Sequence, residues 1–265
     1  MPNLIIRFYE ELNDFLPKEM RKRDIEVPFN DRRSVKDVIE SMGVPHVEVD
    51  IILVNGASVD FSYIVNDNDR ISVFPVFGLL DIPGVTRLTL SPLEDTRFVL
   101  DVHLRKLARS MRLLGFDADY EDDRDDDTLS VIAAAENRIL LTCDRRLLMR
   151  KIITRGIIIR SRDPRQQIIE VIRRLRLRNL VNPISRCVEC NGLIRDADIS
   201  SPEFSLIKAD IPRGVLSWCT EYKICGSCGK IYWQGSHYDQ LVVKVKNILN
   251  SLDTDRKKRR VKKQV

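Results

Sequence analysis

The sequence lacks the segments that mark several large classes of protein. It has no signal peptide and no transmembrane run, so we expect a protein of the reducing cytoplasm with no membrane partner. It has no internal repeat, which excludes a repeat architecture. It also has no GxGxxG or P-loop motif, so nothing in it predicts the common phosphate loops of nucleotide enzymes. The net charge of +5 is small for 265 residues.

Aspartates follow three apolar runs in the middle of the chain. Residues 98–100 lead into Asp101, residues 139–142 into Asp144, and residues 157–160 into Asp163. Helical periodicity between the runs predicts alternating strands and helices, and therefore a mostly parallel sheet. Because ligands bind beyond the carboxyl ends of such strands, we expect Asp101 and Asp144 at one edge. Carboxylates gathered there indicate a site for Mg²⁺ or Mn²⁺.

A basic amphipathic helix is predicted directly after Asp101. Apolar residues recur between positions 104 and 114, and Gly115 is a suitable residue to end the helix. The other face carries Arg105, Lys106, Arg109 and Arg112. A metal-dependent nuclease needs both features, since acids hold the metal and basic side chains hold phosphates. The alternative is that the basic stripe is only the solvated face of the helix.

The cysteines form two CxxC knuckles, with 34 residues between them. Four thiolates in this arrangement predict a closed tetrahedral zinc site within a ribbon that carries an insertion. The ligands would be Cys187, Cys190, Cys225 and Cys228. The alternative is a pair of disulfides, which a reducing compartment disfavours. Cys143 and Cys219 are expected to be packed thiols, and His237 either reaches a nucleic-acid phosphate or packs against the ribbon.

The first eighty residues predict a separate α+β domain. Strands are expected at 3–9, 24–29, 49–54 and 70–74, with a helix that opens at Ser34 and has an acid, Asp37, three residues later. Asn55-Gly56 predicts a hairpin. Strands around one helix in so short a segment indicate a β-grasp.

Several motifs in order make the chain resemble the PIN-like RNase family related to the carboxy-terminal domain of the Mut-seven exonuclease. They are residues 100–109, 113–117, 138–145 and 161–164, the two knuckles, and residues 231–238. The resemblance covers about residues 97–245 and implies a PIN-like fold, an appended zinc ribbon and a metal-dependent ribonuclease, a hydrolase. It implies that Asp101 and Asp144 are the strand-end acids of the site, and that Asp126, in the acidic loop 121–127, is its third acid.

Two positions depart from the family pattern. Arg146 stands where relatives often carry a further acid, and Cys143 stands where arginine is expected. The site would therefore hold one or two Mg²⁺ or Mn²⁺ ions. Asp127 and Asp163 are further candidates for its ligand shell.

The amino-terminal domain resembles the ubiquitin-like, sulfur-carrier type of domain that precedes the RNase domain in many of these proteins. A sulfur carrier needs a free terminal Gly-Gly, whereas this chain continues through residues 76–80. We therefore expect the domain to bind a protein partner.

We predict five segments. They are a ubiquitin-like β-grasp domain (1–77), a linker (78–96), a PIN-like α/β nuclease domain (97–182), a zinc ribbon with a C-terminal helix (183–250) and a basic disordered tail (251–265). The domains are expected to have separate cores. We expect the tail to be a solvated end. The alternative is that its positive charge adds non-specific RNA affinity.

The predicted function is RNA hydrolysis. Asp101, Asp126 and Asp144 would hold the metal, while the basic helix and His237 would bind RNA. The alternative is a non-catalytic RNA-binding adaptor that uses the ribbon, the basic helix and the ubiquitin-like domain, and Arg146 favours it. A third hypothesis is a protein-interaction scaffold whose acids are structural.

Overall fold

A computed structural model of the chain describes residues 1–75, 88 and 96–262, with the side chains of residues 203, 237 and 253–262 outside the description. The backbone divides into two compact units. The first contains Met1–His103 and Arg124–Ile159, and the second contains Leu104–Asp123 and Arg160–Val265. The predicted linker, residues 78–96, lies outside the described residues except at Leu88 and Thr96.

The described residues form short strands and helices along the whole chain. The strands are β1 (Asn3–Phe8), β2 (Ile25–Pro28), β3 (Val49–Val54), β4 (Ala57–Val59), β5 (Arg70–Pro75), β6 (Arg97–Leu100), β7 (Asp117–Asp119), β8 (Ile139–Thr142), β9 (Gly156–Ile158), β10 (Ile194–Asp196), β11 (Tyr222–Cys225) and β12 (Ile231–Trp233). The α-helices are α1 (Val35–Ser41), α2 (Arg105–Leu113), α3 (Asp126–Ala135), α4 (Arg145–Leu148), α5 (Pro164–Arg174), α6 (Pro202–Ile207), α7 (Arg213–Leu216) and α8 (Ser236–Lys262).

The first unit begins with a five-stranded sheet in the order β2-β1-β5-β3-β4. Strands β1 and β5 are parallel and the other pairs are antiparallel, which is the arrangement of a β-grasp. Helix α1 opens with the predicted capping box, because Ser34 and Asp37 each accept a hydrogen bond from the other's backbone N–H. The hairpin between β3 and β4 turns at Asn55 and Gly56, both at positive φ. The β-grasp prediction is confirmed.

Strands β6, β8 and β9 form a parallel sheet in the same unit. All four residues of β8 and all three of β9 are buried, as is usual for parallel strands covered on both faces. Helix α3 contacts β6 and β8. Leu100 pairs with Leu141, so these two strands end side by side at the edge where Asp101 follows. The predicted mixed α/β fold is confirmed.

The prediction of separate domain cores is wrong. One continuous cluster of buried residues joins Leu4 and Ile52 of the β-grasp to Val99, Leu140 and Ile158 of the parallel sheet. Periodicity in a sequence identifies apolar faces, but it does not say which other face will cover them. The β-grasp and the parallel sheet of this unit therefore share one core.

The second unit contains helix α2, strand β7 and the region from residue 160 onward. Helix α2 ends where predicted, with Gly115 at φ +92° after the last turn. Strands β10, β11 and β12 form an antiparallel ribbon, and helices α6 and α7 form the predicted insertion between its knuckles. Helix α5 contacts α8. Helix α8 extends to Lys262, into the segment assigned above to a disordered tail, whose boundary stays a prediction.

Candidate functional site

Asp101 follows directly after strand β6 and is 5 % exposed. Its Oδ1 accepts a hydrogen bond from the backbone N–H of His103 at 3.1 Å. Its Oδ2 accepts one from the hydroxyl of Thr142 at 2.6 Å. Its own N–H donates to the carbonyl of Leu141 on the neighbouring strand, at 3.1 Å. These three bonds fix a buried carboxylate at the carboxyl end of β6.

Thr142 connects the two strand-end acids. While its hydroxyl donates to Asp101, it accepts a hydrogen bond from the backbone N–H of Asp144 at 2.9 Å. The side chain of Asp144 caps α4 by accepting from the N–H of Arg146 at 2.7 Å. The structure thus brings Asp101 and Asp144 to the ends of adjacent parallel strands, Asp101 buried and Asp144 exposed.

Asp126 is the first residue of helix α3, and the residue before it, Asp125, caps the helix. The side chain of Asp125 accepts from the N–H of Thr128 at 2.7 Å, and this bond holds the pKa of Asp125 below its usual value. Asp126 faces Arg150 at 4.0 Å, and Asp127 pairs with the same guanidinium at 2.5 Å. Among the described residues, Asp126 and Asp127 do not form a group that could hold a metal ion together with Asp101 and Asp144.

Asp163, another candidate ligand, lies in the second unit. It caps helix α5, because its Oδ1 accepts from the N–H of Arg165 at 2.9 Å. Asp163 therefore already has a structural role in its own unit.

Arg146 and Cys143, the two positions that depart from the family pattern, are both exposed.

The four knuckle cysteines lie close together. Their sulfur atoms are all within 4.8 Å of one another, including 3.7 Å between Cys187 and Cys228 and 3.4 Å between Cys190 and Cys225. Four sulfurs around one tetrahedral metal at usual bond lengths would stand about 3.8 Å apart. No other group of three or more such ligands occurs among the described residues. The cysteines therefore form a site that fits one metal ion.

Hydrogen bonds around the first knuckle favour the thiolate form. Burial by itself raises the pKa of Cys187, but the Tyr232 hydroxyl and the N–H groups of Cys190 and Glu189 together lower it to about 7. The Tyr232 hydroxyl lies 3.1 Å from the Cys187 sulfur and accepts from the N–H of Val188 at 3.3 Å. Burial raises the pKa of Cys228 to about 12. A bound metal would override such differences by holding the thiolates directly.

Arg112, which the sequence predicts to bind RNA, is instead buried, with 4 % of its surface exposed. Its guanidinium donates to the carbonyl oxygens of Ala118 at 2.8 Å and of Tyr120 at 3.4 Å. It also donates to the carbonyls of Val188 and Glu189 in the first knuckle. Arg112 therefore ties β7 and the knuckle to α2. Charge and spacing in the sequence could not separate this arginine from its exposed neighbours.

The other predicted RNA-binding residues of α2 are exposed. Arg109 pairs with Glu189 at 2.5 Å, and Arg105 pairs with Asp122 at 3.5 Å. Lys106 and Arg109 line a groove of about 1080 Å³ in the second unit. The side chain of His237 lies outside the described residues, so its predicted contact stays a prediction.

Two residues with a positioning role are absent from the sequence predictions. Thr142 is a polar residue at the end of an apolar run, two positions before Asp144, and this position is the signal that would have identified it. Tyr232 lies in one of the segments that carry the family resemblance, but nothing in the sequence indicates that its hydroxyl reaches Cys187.

No helix in the described part of the chain is both long and apolar enough to cross a membrane. Neither a comparison with curated proteins nor one with solved structures found a match. Comparison with protein families matched residues 1–81 to the Mut7-C ubiquitin model and residues 96–245 to the Mut7-C RNAse domain model. The second match alone covers more than half of the chain. The chain therefore belongs to the Mut7-C RNAse domain family and carries the family's ubiquitin-like domain at its amino terminus.

Proposed function

We propose that this protein is a metal-dependent ribonuclease. The observation that carries the proposal is the pair of hydrogen bonds by which Thr142 joins Asp101 to the backbone of Asp144. This bonding holds one buried and one exposed carboxylate at the ends of adjacent parallel strands. Such edges are where α/β sheets bind ligands.

The donor set suits a hard divalent cation. Asp101, Asp144 and Asp126 offer only oxygen ligands, and Mg²⁺ commonly binds through one or two carboxylates while it keeps several waters. Asp101 and Asp144 would be the main ligands, with Asp126 as the third acid. Such an ion, when bound, makes a coordinated water more acidic and neutralises charge at the scissile phosphate. Asp127 is the remaining candidate in this unit, although its pairing with Arg150 competes with that role.

The chain's own residues would position the RNA. Arg105, Lys106 and Arg109 are exposed along helix α2 and carry positive charge, so they would hold phosphate groups of the backbone. His237 remains a further candidate for this role. Contacts of this kind position the strand without reading its sequence.

We further propose that the metal of the cysteine site is zinc. Four thiolates with spacings near those of a tetrahedral site support zinc over metals that prefer oxygen. The ion would be structural, because all four positions are taken by the protein. Thiols kept for a metal rather than for disulfides support a reducing, cytoplasmic location.

The experiment compares wild type with Asp101→Asn for cleavage of a generic single-stranded RNA in the presence of Mg²⁺ or Mn²⁺. We expect the variant to lose cleavage and divalent-metal affinity together while it keeps RNA binding. Asp123→Asn, which removes an acid from the exposed loop, is the matched control and should cleave like wild type. A variant Asp101→Asn that cleaves as fast as wild type would overturn the proposed site.

The second candidate function is a non-catalytic RNA-binding adaptor. One observation favours it: Asp126 and Asp127 face Arg150. The family resemblance agrees, because it leads us to expect an acid at the position of Arg146. In that case wild type and Asp101→Asn would both bind RNA and neither would cleave it. The ubiquitin-like domain would then act as a surface for a protein partner.

A further inference from the structure

The second unit contains a groove whose walls are strongly basic. It has a volume of about 1080 Å³, above the usual range for small-molecule pockets, and it lies among helices α2, α5 and α8 and the first knuckle. Five cationic side chains line it: Lys106, Arg109, Arg165, Lys230 and Lys244. The two acids in its wall are Asp163 and Glu189. Five cations against two acids give the groove a net positive charge, which favours an anionic ligand.

The cations in this groove are close enough to affect each other. Partial desolvation, followed by the charges of Arg109 and Arg165, lowers the pKa of Lys244. Bringing a negative ligand into the groove would relieve this repulsion. The neighbouring acid Asp163 caps α5 and keeps its negative charge, so five cations in the groove face two acids.

Glu189 holds two of the cations together. Its carboxylate pairs with Arg109 at 2.5 Å and accepts from Lys230 at 3.1 Å. Two cationic groups converging on one carboxylate make the arrangement that a phosphate group would also satisfy. Glu189 lies between Cys187 and Cys190, and its backbone carbonyl accepts from Arg112, so the knuckle fixes its position.

We propose that this groove binds the phosphate backbone of single-stranded RNA, and that Glu189 occupies one phosphate position until the RNA displaces it. The inference rests on RNA as the ligand in the proposed function, but not on cleavage. None of the described residues that line the groove is aromatic, so bases have no stacking platform there. Binding should therefore depend steeply on salt and little on base identity.

The experiment measures the affinity of the full chain for a fluorescein-labelled oligouridine by anisotropy, without added divalent cations so that the RNA stays intact. Lys244→Ala should weaken binding roughly two- to five-fold. It should also reduce the slope of log affinity against log salt by about 0.7, the value for one contact to single-stranded RNA. Lys246→Ala is the matched control, since it removes the same charge from the same helix outside the groove.

Glu189→Gln tests the competition directly. Removing the carboxylate charge should free Arg109 and Lys230 for phosphate, so RNA binding should become tighter while cysteine-bound metal stays at one ion per chain. Glu189 is adjacent to Cys190, so the Glu189→Gln variant must be checked for loss of the metal. If it loses the metal, the comparison of Lys244→Ala with Lys246→Ala alone tests whether the groove binds RNA. If both lysine variants weaken RNA binding equally, the proposal that the groove binds RNA is wrong. It is also wrong if Glu189→Gln keeps its metal and binds RNA with unchanged affinity.

Two further outcomes separate this inference from the ribonuclease proposal. If wild type cleaves RNA and Lys244→Ala binds it normally, the groove is not the RNA site although the nuclease stands. If Lys244→Ala weakens binding but no form of the protein cleaves, the groove stands and the nuclease fails. Displacement of the RNA by poly-glutamate at equal charge would show an acidic-peptide site instead, and would overturn the RNA assignment.

Discussion

Glu48 of the β-grasp accepts a hydrogen bond from the backbone N–H of Ile158 in strand β9, at 2.7 Å and in a buried position. Nearby, His46 contacts the carbonyl of Ile153 at 2.9 Å, and its other ring nitrogen lies 2.6 Å from Glu40. The ubiquitin-like domain therefore satisfies polar backbone groups of β9 and of the segment before it. At least part of the surface of this domain is therefore covered within the chain itself.

Glu48→Ala should destabilise the first unit by about 1–3 kcal/mol, because the N–H of Ile158 loses a buried acceptor. Glu48→Gln retains an acceptor oxygen and should cost less. Urea unfolding followed by circular dichroism measures both. Glu26→Ala, which changes the same residue type at an exposed position of β2, is the control and should be close to neutral. Equal stability of the Ala variants at positions 48 and 26 would contradict this role.

A fragment of residues 96–265 should be less stable than the full chain and prone to aggregate. Deleting the β-grasp would expose Val99, Leu140, Leu148 and Ile158, which share its core. The measurement is the solubility and denaturation midpoint of the fragment. Adding residues 1–77 as a separate chain should restore solubility. If the fragment unfolds at the same urea concentration as the full chain, the domains are independent and this prediction is wrong.

Thr142→Val should reduce cleavage while the protein keeps its fold and its RNA affinity. The change keeps the side-chain shape but removes the hydroxyl that joins Asp101 to the backbone of Asp144. Loss of a group that orients metal ligands usually costs about 10- to 100-fold. Thr142→Ser, which keeps the hydroxyl, should retain most of the activity. Single-turnover cleavage at saturating RNA is the measurement, and undiminished cleavage by Thr142→Val would contradict the proposed site.

Cys187→Ser should abolish metal binding and unfold the ribbon, because a structural metal supplies folding free energy that the small ribbon core does not. Elemental analysis should find about one zinc ion per wild-type chain and almost none in the variant. Cys143→Ser is the matched control, since Cys143 is exposed and outside the cluster. Wild-type protein that is folded but free of zinc would refute the assignment.

The local features of this chain follow from the sequence alone. The capping box at Ser34, the Asn55-Gly56 hairpin and the end of α2 at Gly115 each depend on residues a few positions apart. The two knuckles are equally local, because the two cysteines of each CxxC turn are only three positions apart. Short-range sterics and hydrogen bonding determine these features, so the sequence was sufficient to predict them.

Tertiary structure decided which partner each side chain meets. The sequence could not show that Arg112 is buried against backbone carbonyls while Arg109 stays exposed, since both lie on one basic helix. It could not show that Glu48 bonds to a strand 110 positions away. Apolar periodicity specifies that a surface must be covered, whereas the identity of the cover depends on how distant segments pack together.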